Sequence, residues 1–361
     1  MKMKYSLSLG RVAGIAIYVH WTFLLLIAYL VYVNIRQGMG TADILWSILF
    51  MLTLFACVTL HELGHALAAR YFSIKTSHIT LLPIGGVAQL ESIPEKPKEE
   101  LVVALAGPLV NVAIAALLLP FLQAGNMREV LEVARLGHQN FLPSLMVVNV
   151  WLALFNMIPA FPMDGGRVLR ALLSFKFPRH VATRLAAAIG QVLAMGFVFI
   201  GFFANPFLIF IGIFIFIGAQ AEADYAEARS LLAGYKVADA MMKQIPILRL
   251  TDTIEGAADQ LLASQNKNFI VVDDTTIAGT LNRDEIIRAL REGKASQPVA
   301  QFMNRDFVSL HTEMPLEEAW SVMRTRQLTA APVFSGNTLV GMLDTENVAE
   351  FVMINEALNK R

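Results

Sequence analysis

Leu60-His61-Glu62-Leu63-Gly64-His65-Ala66 lies inside an apolar run, residues 44–69, that is long enough to cross a bilayer. On a helix, His61 and His65 stand one turn apart on the same face, so both imidazoles can reach a single metal ion. Glu62 falls on the flank of that face, where it can hold and deprotonate a water at the metal. Arg70 ends the apolar run nine residues after His61. At 1.5 Å per residue, His61 then sits roughly 13 Å inside the apolar layer from that edge. Ionisable groups at such depth are costly and as a rule functional. The pattern points to metal-dependent hydrolysis inside a membrane, with other membrane proteins as substrates.

Composition agrees with a membrane chain. Of 361 residues, 56% are hydrophobic and only 16% are charged, against about 25% charged in an average soluble domain. The formal net charge is zero, which argues against a nucleic-acid partner. One cysteine, Cys57, excludes an intrachain disulfide. It precedes His61 by one turn and reads as a small buried apolar residue rather than a ligand. The first apolar run, residues 14–33, lacks a small-residue cleavage site and reads as a retained span.

Six membrane segments are expected, at approximately 14–33, 44–69, 101–123, 143–160, 181–203 and 206–220, the last two separated by a turn at Asn205-Pro206. Alternation puts Lys2, Lys4, Arg11, Arg70, Lys75, Lys96, Lys98, Arg167, Arg170, Lys176, Arg179 and Arg184 on one side. Only Arg36, Arg128 and Arg135 fall on the other. The excess of positive charge predicts that both termini are cytoplasmic, and the lack of a targeting peptide fits a prokaryotic plasma membrane.

Residues 77–92 do not follow a helical pattern. Gly85-Gly86 between two β-prone runs predicts a hairpin near the cytoplasmic face, either a plain connection or an exposed strand edge that pairs with an extended substrate. His78 reads as a loop histidine.

Two histidines leave a catalytic zinc one protein ligand short, because such sites use three and keep the fourth position for water. The candidate lies in Asn156-Met157-Ile158-Pro159-Ala160-Phe161-Pro162-Met163-Asp164-Gly165-Gly166-Arg167, where two prolines and two glycines break the fourth span. Broken backbone at membrane depth is tolerated only where protein or a water-filled cavity covers it. Asp164 falls on the same side of the membrane as the two histidines.

The His61–His65 segment, Ala106-Gly107-Pro108-Leu109-Val110-Asn111 and the Asn156…Pro159…Asp164-Gly165 segment together resemble the site-2 protease family of intramembrane zinc metalloproteases, over roughly residues 10–220. The resemblance implies one zinc per chain held by His61, His65 and Asp164, with Glu62 as general acid/base. It also implies that Asn156, Pro159 and Gly165 shape the active site. Asn111 reads as a residue bonded across to a neighbouring helix. His20 reads as a packing or hydrogen-bonding residue inside the first span, His138, His180 and His311 as surface residues, and the phenylalanines of 197–216 as lipid-facing bulk.

Beyond residue 221 the chain becomes a soluble module with an internal repeat at an offset of 62 residues. Val237-Ala238-Asp239-Ala240-Met241 matches Val299-Ala300-Gln301-Phe302-Met303, and Gly279–Glu285 matches Gly341–Asn347. Each copy reads helix, strand, strand, helix. The repeat resembles a pair of CBS domains, which pack as a pseudo-dimer and often bind adenosine-containing ligands. In nucleotide-binding members a Ser or Thr is followed three residues on by an Asp that grips the ribose. Here those positions are Asn282 and Glu285 in one copy, and Asp344 and Asn347 in the other. The implied ligand is an adenine nucleotide, and the competing role is homodimerisation.

The expected architecture is a polytopic α-helical membrane domain of about six transmembrane helices (1–222), followed by a cytoplasmic α/β tandem CBS module (235–295 and 296–361). The expected partners are a transmembrane protein substrate, the lipid bilayer and a second copy of the chain. A CBS-regulated ion channel or transporter is the alternative of a different class, but no inverted repeat is visible in the spans. An inactive membrane scaffold would not need the full set of catalytic residues.

Overall fold

The computed structural model describes residues 6–83, 85–90, 94, 96–121, 141–264, 266–274 and 276–359. Lys2, Lys4, Arg128, Arg135 and His138 lie outside them, as do residues 84, 91 and 92 of the expected hairpin and the end of the third expected span. The chain divides into two compact units, Met1–Ala226 and Glu227–Arg361.

The first unit opens with strands where the apolar run 14–33 suggested one helix. β1 (Ser6–Val12) and β2 (Ile15–His20) pair antiparallel about Ala13-Gly14. Both turn residues have positive φ, 52° and 85°, the geometry of a two-residue hairpin turn. Ile15 and Ile17 are buried while Ala16 and Tyr18 are less so. This two-residue alternation is a strand period, and it outweighs the run's overall hydrophobicity. Helix α1 (Thr22–Arg36) starts only beyond His20. The His20 ring therefore lies at the start of α1, 2.8 Å from the Thr22 hydroxyl, and not in mid-span.

α2 (Thr41–Tyr71) has 31 residues, about 46 Å of helix. It leads to β3 (Thr76–Leu82), which runs parallel to β2, and then to β4 (Gly85–Leu90), antiparallel to β3. The expected hairpin is thus half of a four-stranded sheet, ordered β1-β2-β3-β4. Gly85 and Gly86 begin its second strand and do not form its turn. His78 lies within β3, edge-on to Tyr18 with ring centroids 5.6 Å apart, rather than in a loop. The inner face of the sheet (Ile15, Ile17, Ile79 and Leu81) packs on Leu63 and Ala66 of α2. The sheet therefore braces the helical turn that carries His61 and His65.

Five further helices complete this unit: α3 (Pro97–Leu118), α4 (Phe141–Asn156), α5 (Asp164–Leu173), α6 (Arg179–Phe203) and α7 (Phe207–Leu232). Among the described residues, α2, α3, α6 and α7 are long and apolar enough to cross a membrane; α1 and α4 are apolar but have only 15 and 16 residues. Phe199, Phe202, Phe203, Phe207 and Phe210 are exposed on α6 and α7, the surface of a helical membrane domain. α2 and α3 touch at Gly64, where a Cβ would lie 2.9 Å from the Ala106 carbonyl oxygen and 2.8 Å from a Val110 methyl. α5 is pinned by Arg170, a buried guanidinium. Its Nε donates to Glu100 of α3 at 2.8 Å, and its Nη1 donates to Glu222 of α7. Arg179 lies 3.2 Å from the other Glu100 oxygen, so two carboxylates are paired with two guanidinium groups, and the Phe161 ring covers the face of Arg170 at 5.0 Å.

The second unit reproduces the 62-residue offset element by element. β6 (Asn268–Asp273) and β7 (Thr276–Asn282) recur as β9 (Ala330–Ser335) and β10 (Thr338–Asp344). α9 (Ile254–Ala263) recurs as α11 (Leu316–Thr325), and α10 (Arg283–Arg291) is answered by α12 (Thr345–Asn359). The short β5 (Ile247–Arg249) and β8 (Leu310–His311) add a parallel strand to each sheet. The cores match as well. Leu248, Ile254, Val271, Leu281 and Ile286 fill one copy; Leu310, Leu316, Val333, Leu343 and Val348 fill the other.

The copies also exchange their leading segments. Val237, in α8 (Val237–Ala240), is buried in the core of the second copy, and its equivalent Val299 is buried in the core of the first. Met242 and Met342 exchange backbone bonds at 2.8 and 3.0 Å, and Asn304 and Thr280 do the same at 2.7 and 2.9 Å. Each repeat is therefore completed by residues from the other, so neither packs as an independent body.

Candidate metal centre

His61 and His65 project from one face of α2, and Asp164 opens α5 directly after the broken stretch that follows α4. The structure brings the three together. His61 Nε2 and His65 Nε2 lie 3.2 and 3.1 Å from Asp164 Oδ2 and 3.1 Å from each other. All three residues are buried. Among the described residues this is the group of His, Cys, Asp and Glu side chains placed to hold a metal; Cys57 instead packs among Phe50 and Leu145.

The far side of each ring is tied down. His61 Nδ1 lies 2.5 Å from Asn111 Oδ1, and His65 Nδ1 lies 2.7 Å from the Val103 carbonyl oxygen. A carbonyl only accepts, so His65 donates from Nδ1, and in the neutral ring its Nε2 lone pair is bare. With His61 held in the same sense, two lone pairs and a carboxylate oxygen face one another at hydrogen-bond separation in a buried site. That arrangement is repulsive unless a cation sits among them. Zinc bonds of about 2.0–2.1 Å to nitrogen and oxygen place tetrahedral neighbours roughly 3.3 Å apart, close to the observed spacings. The N, N, O donor set fits zinc.

Glycines make the convergence possible. A Cβ at Gly107 of α3 would collide with the His65 ring and lie 2.7 Å from His61 Nε2. A Cβ at Gly165 would run into the Met157 and Ile158 carbonyl groups, so only glycine lets α5 begin where Asp164 reaches the histidines. Asn156 ends α4 half-buried, and Pro159 is exposed in the stretch between the two helices.

Glu62 meets the sheet. Its Oε2 accepts the Ala88 N–H of β4 at 3.2 Å, and a Cβ at Gly86 would lie 2.7 Å from its Cγ. β4 is an edge strand, so its outward backbone borders the candidate site.

The four CBS residues lie at helix starts. Asn282 accepts the Glu285 N–H at 2.9 Å while the Glu285 carboxylate accepts the Asn282 N–H at 2.8 Å, a capping box opening α10. Burial pushes the Glu285 carboxyl above its ordinary pKa, opposed by that backbone N–H. Asp344 accepts the Asn347 N–H at 2.8 Å in the equivalent position.

Sequence reasoning quoted Gly107 only as part of a motif and passed over Ala88, which carries no chemistry of its own, and Asn149, whose signal was an amide within a largely apolar span.

Comparison with known proteins agrees with this geometry. The family model described as Peptidase family M50 matches residues 49–130 and 123–201. A zinc metalloprotease of Methanocaldococcus jannaschii is 35% identical over 77% of this chain and 78% of its own. The chain belongs to peptidase family M50. A candidate zinc metalloprotease of Mycobacterium tuberculosis is 28% identical over 97% of this M50 peptidase and 93% of its own length. The solved site-2 protease of M. jannaschii covers 61% of the chain and 95% of its own, with 39% identity and a TM-score of 0.45. The CBS domain model matches residues 237–292 and 299–354. This M50 peptidase is therefore a zinc metalloprotease whose four long apolar helices are consistent with a membrane domain, followed by two CBS domains.

Replacing Gly107 by Ala drives a methyl group against both imidazoles. Zinc bound per chain, measured after dialysis against a weak chelator, is expected to fall at least tenfold, on the order seen for disturbed metal ligands. Wild-type zinc retention in this variant would mean that α3 does not confine the two rings.

Proposed function

We propose that this M50 peptidase cleaves membrane-spanning segments of other proteins at a zinc site held by His61, His65 and Asp164, with Glu62 moving the proton. The observation that carries this reading is the meeting of the three ligand atoms where α2, a helix of membrane length, faces the start of the short α5. When bound, zinc supplies Lewis-acid polarisation of the scissile carbonyl and a water acidic enough to react near neutral pH. Glu62 takes a proton from the attacking water and returns it to the leaving amine. Asn156, Pro159 and Gly165 shape the break that carries Asp164.

A transmembrane substrate must first unwind, because the carbonyls of an intact helix are already bonded. The edge of β4 supports a way of holding the unwound segment. An extended chain added to it takes up free backbone groups, and the Ala88 N–H on that edge already points at Glu62.

The apolar character of α1 and α4, beside the four long helices, supports about six spans. The uneven distribution of Lys and Arg supports a multi-pass protein of the plasma membrane with both termini cytoplasmic. For the CBS pair we propose a regulatory or dimerising role, with an adenine nucleotide as the ligand near Asn282, Glu285, Asp344 and Asn347. The half-buried, capped carboxyl of Glu285 is the acceptor available for a ribose.

Glu62→Gln is expected to keep one zinc per chain and to cut a single-span reporter substrate at least 1,000-fold more slowly, a loss within the range for removing a general base. Turnover near the wild-type rate would remove Glu62 from the mechanism. The CBS assignment is read by equilibrium binding of AMP to the full-length protein, where one saturable site weakened by Glu285→Ala is expected. No binding at millimolar AMP would leave dimerisation as the role.

A further inference from the structure

His61 is held by more than one neighbour. Asn111 of α3, whose Oδ1 faces His61 Nδ1, donates from Nδ2 to Asn149 Oδ1 of α4 at 2.8 Å. Asn149 in turn donates from Nδ2 to the Leu145 carbonyl oxygen at 2.8 Å. Both amides are fully buried, cut off from bulk solvent.

The direction of this chain follows from its last member. A backbone carbonyl can only accept. Asn149 must therefore turn its NH₂ toward Leu145 and its oxygen toward Asn111. Asn111 must then turn its NH₂ toward Asn149 and its oxygen toward His61. An oxygen facing Nδ1 requires a proton on Nδ1, which in the neutral ring leaves Nε2 unprotonated. One main-chain carbonyl on α4 thus sets the tautomer of a histidine on α2, through two side chains.

We infer that Asn149, acting through Asn111, is a positioning residue that keeps a proton off His61 Nε2 and so keeps that nitrogen open to the metal; the inference rests on His61 being a zinc ligand. The competing state is easily drawn. If Asn111 were free to rotate, its NH₂ could face Nδ1 and the ring proton would move to Nε2. There it would point at Asp164 Oδ2, 3.2 Å away, and that hydrogen bond would occupy the place of the metal. The relay raises the energy of this closed, metal-free arrangement. Partners of this kind are commonly worth 10–100-fold in metal affinity.

The test uses the full-length protein in detergent, with zinc affinity measured by chelator competition and the histidine tautomer by ¹⁵N NMR of metal-free, histidine-labelled chain. The His61 signal is identified by its loss in His61→Ala. Wild-type His61 is expected as the Nδ1–H tautomer. Asn149→Leu is expected to bind zinc roughly 10–100-fold more weakly and to show Nε2–H at His61. Asn149→Asp, neutral in so apolar a place, still donates to Leu145 and accepts from Asn111; its zinc affinity is expected to return to within about threefold of wild type, since the relay's donor direction is preserved. The tautomer readout separates orientation from packing, because a packing defect alone would not move the His61 proton to Nε2.

An Nε2–H tautomer in the metal-free wild type would overturn the inference even if Asn149→Leu failed to fold. So would wild-type zinc affinity in Asn149→Leu when His61→Ala loses the metal. If His61→Ala itself keeps zinc at wild-type affinity, the ligand assignment fails and the relay with it.

Discussion

Two imidazole nitrogens and a carboxylate oxygen face each other at 3.1–3.2 Å in a buried pocket of a helical membrane domain. Unscreened lone pairs and negative charge at that separation do not stay together without a cation. Much of the first unit is built around that requirement. Backbone and amide oxygens take the Nδ1 protons, so that the Nε2 lone pairs are presented. Gly107 clears room for the rings, and Gly165 lets α5 start beside them. Behind α2, the four-stranded sheet packs on Leu63 and Ala66, which alternate with the ligands along the same turn. Farther along α5, the Arg170 ion cluster fixes the helix that delivers Asp164.

The sheet serves a second purpose. By bringing an edge strand against Glu62, it puts free backbone hydrogen-bonding groups beside the residue assigned to proton transfer. Helices alone offer no such groups, since their backbones are internally satisfied. A protease working on unwound segments needs them, which gives a reason for a β-element inside a helical protein. The CBS pair follows a different logic: each repeat donates its leading segment to the core of the other, so the pair is one folding body made from a duplicated sequence.

Much of this was legible in the chain itself. The spacing of His61 and His65, the broken stretch ending at Asp164 and the 62-residue repeat are local signals, and each corresponds to an observed feature. The N-terminal strands were missed because Ile15–His20 is as apolar as the helix that follows it; only the alternation of burial, visible once the sheet forms, separates them. His78 was read as a loop residue for the same reason, since β3 is defined by its pairing with β2 across more than fifty residues. The roles of Gly107, Ala88 and Asn149 depend on which helix or strand lies opposite, and a single sequence does not carry that information. For the CBS pair, the capping box of Asn282 and Glu285 depends on how the chain turns into α10, which the sequence pattern did not bring out.

The central claim is that motifs about a hundred residues apart form one metal site. It is tested most directly by the zinc content of the purified full-length protein, wild type against Asp164→Ala. The expected result is one zinc per wild-type chain and little in the variant, with both proteins folded. Equal zinc in the two, or none in either after purification without chelators, would contradict it.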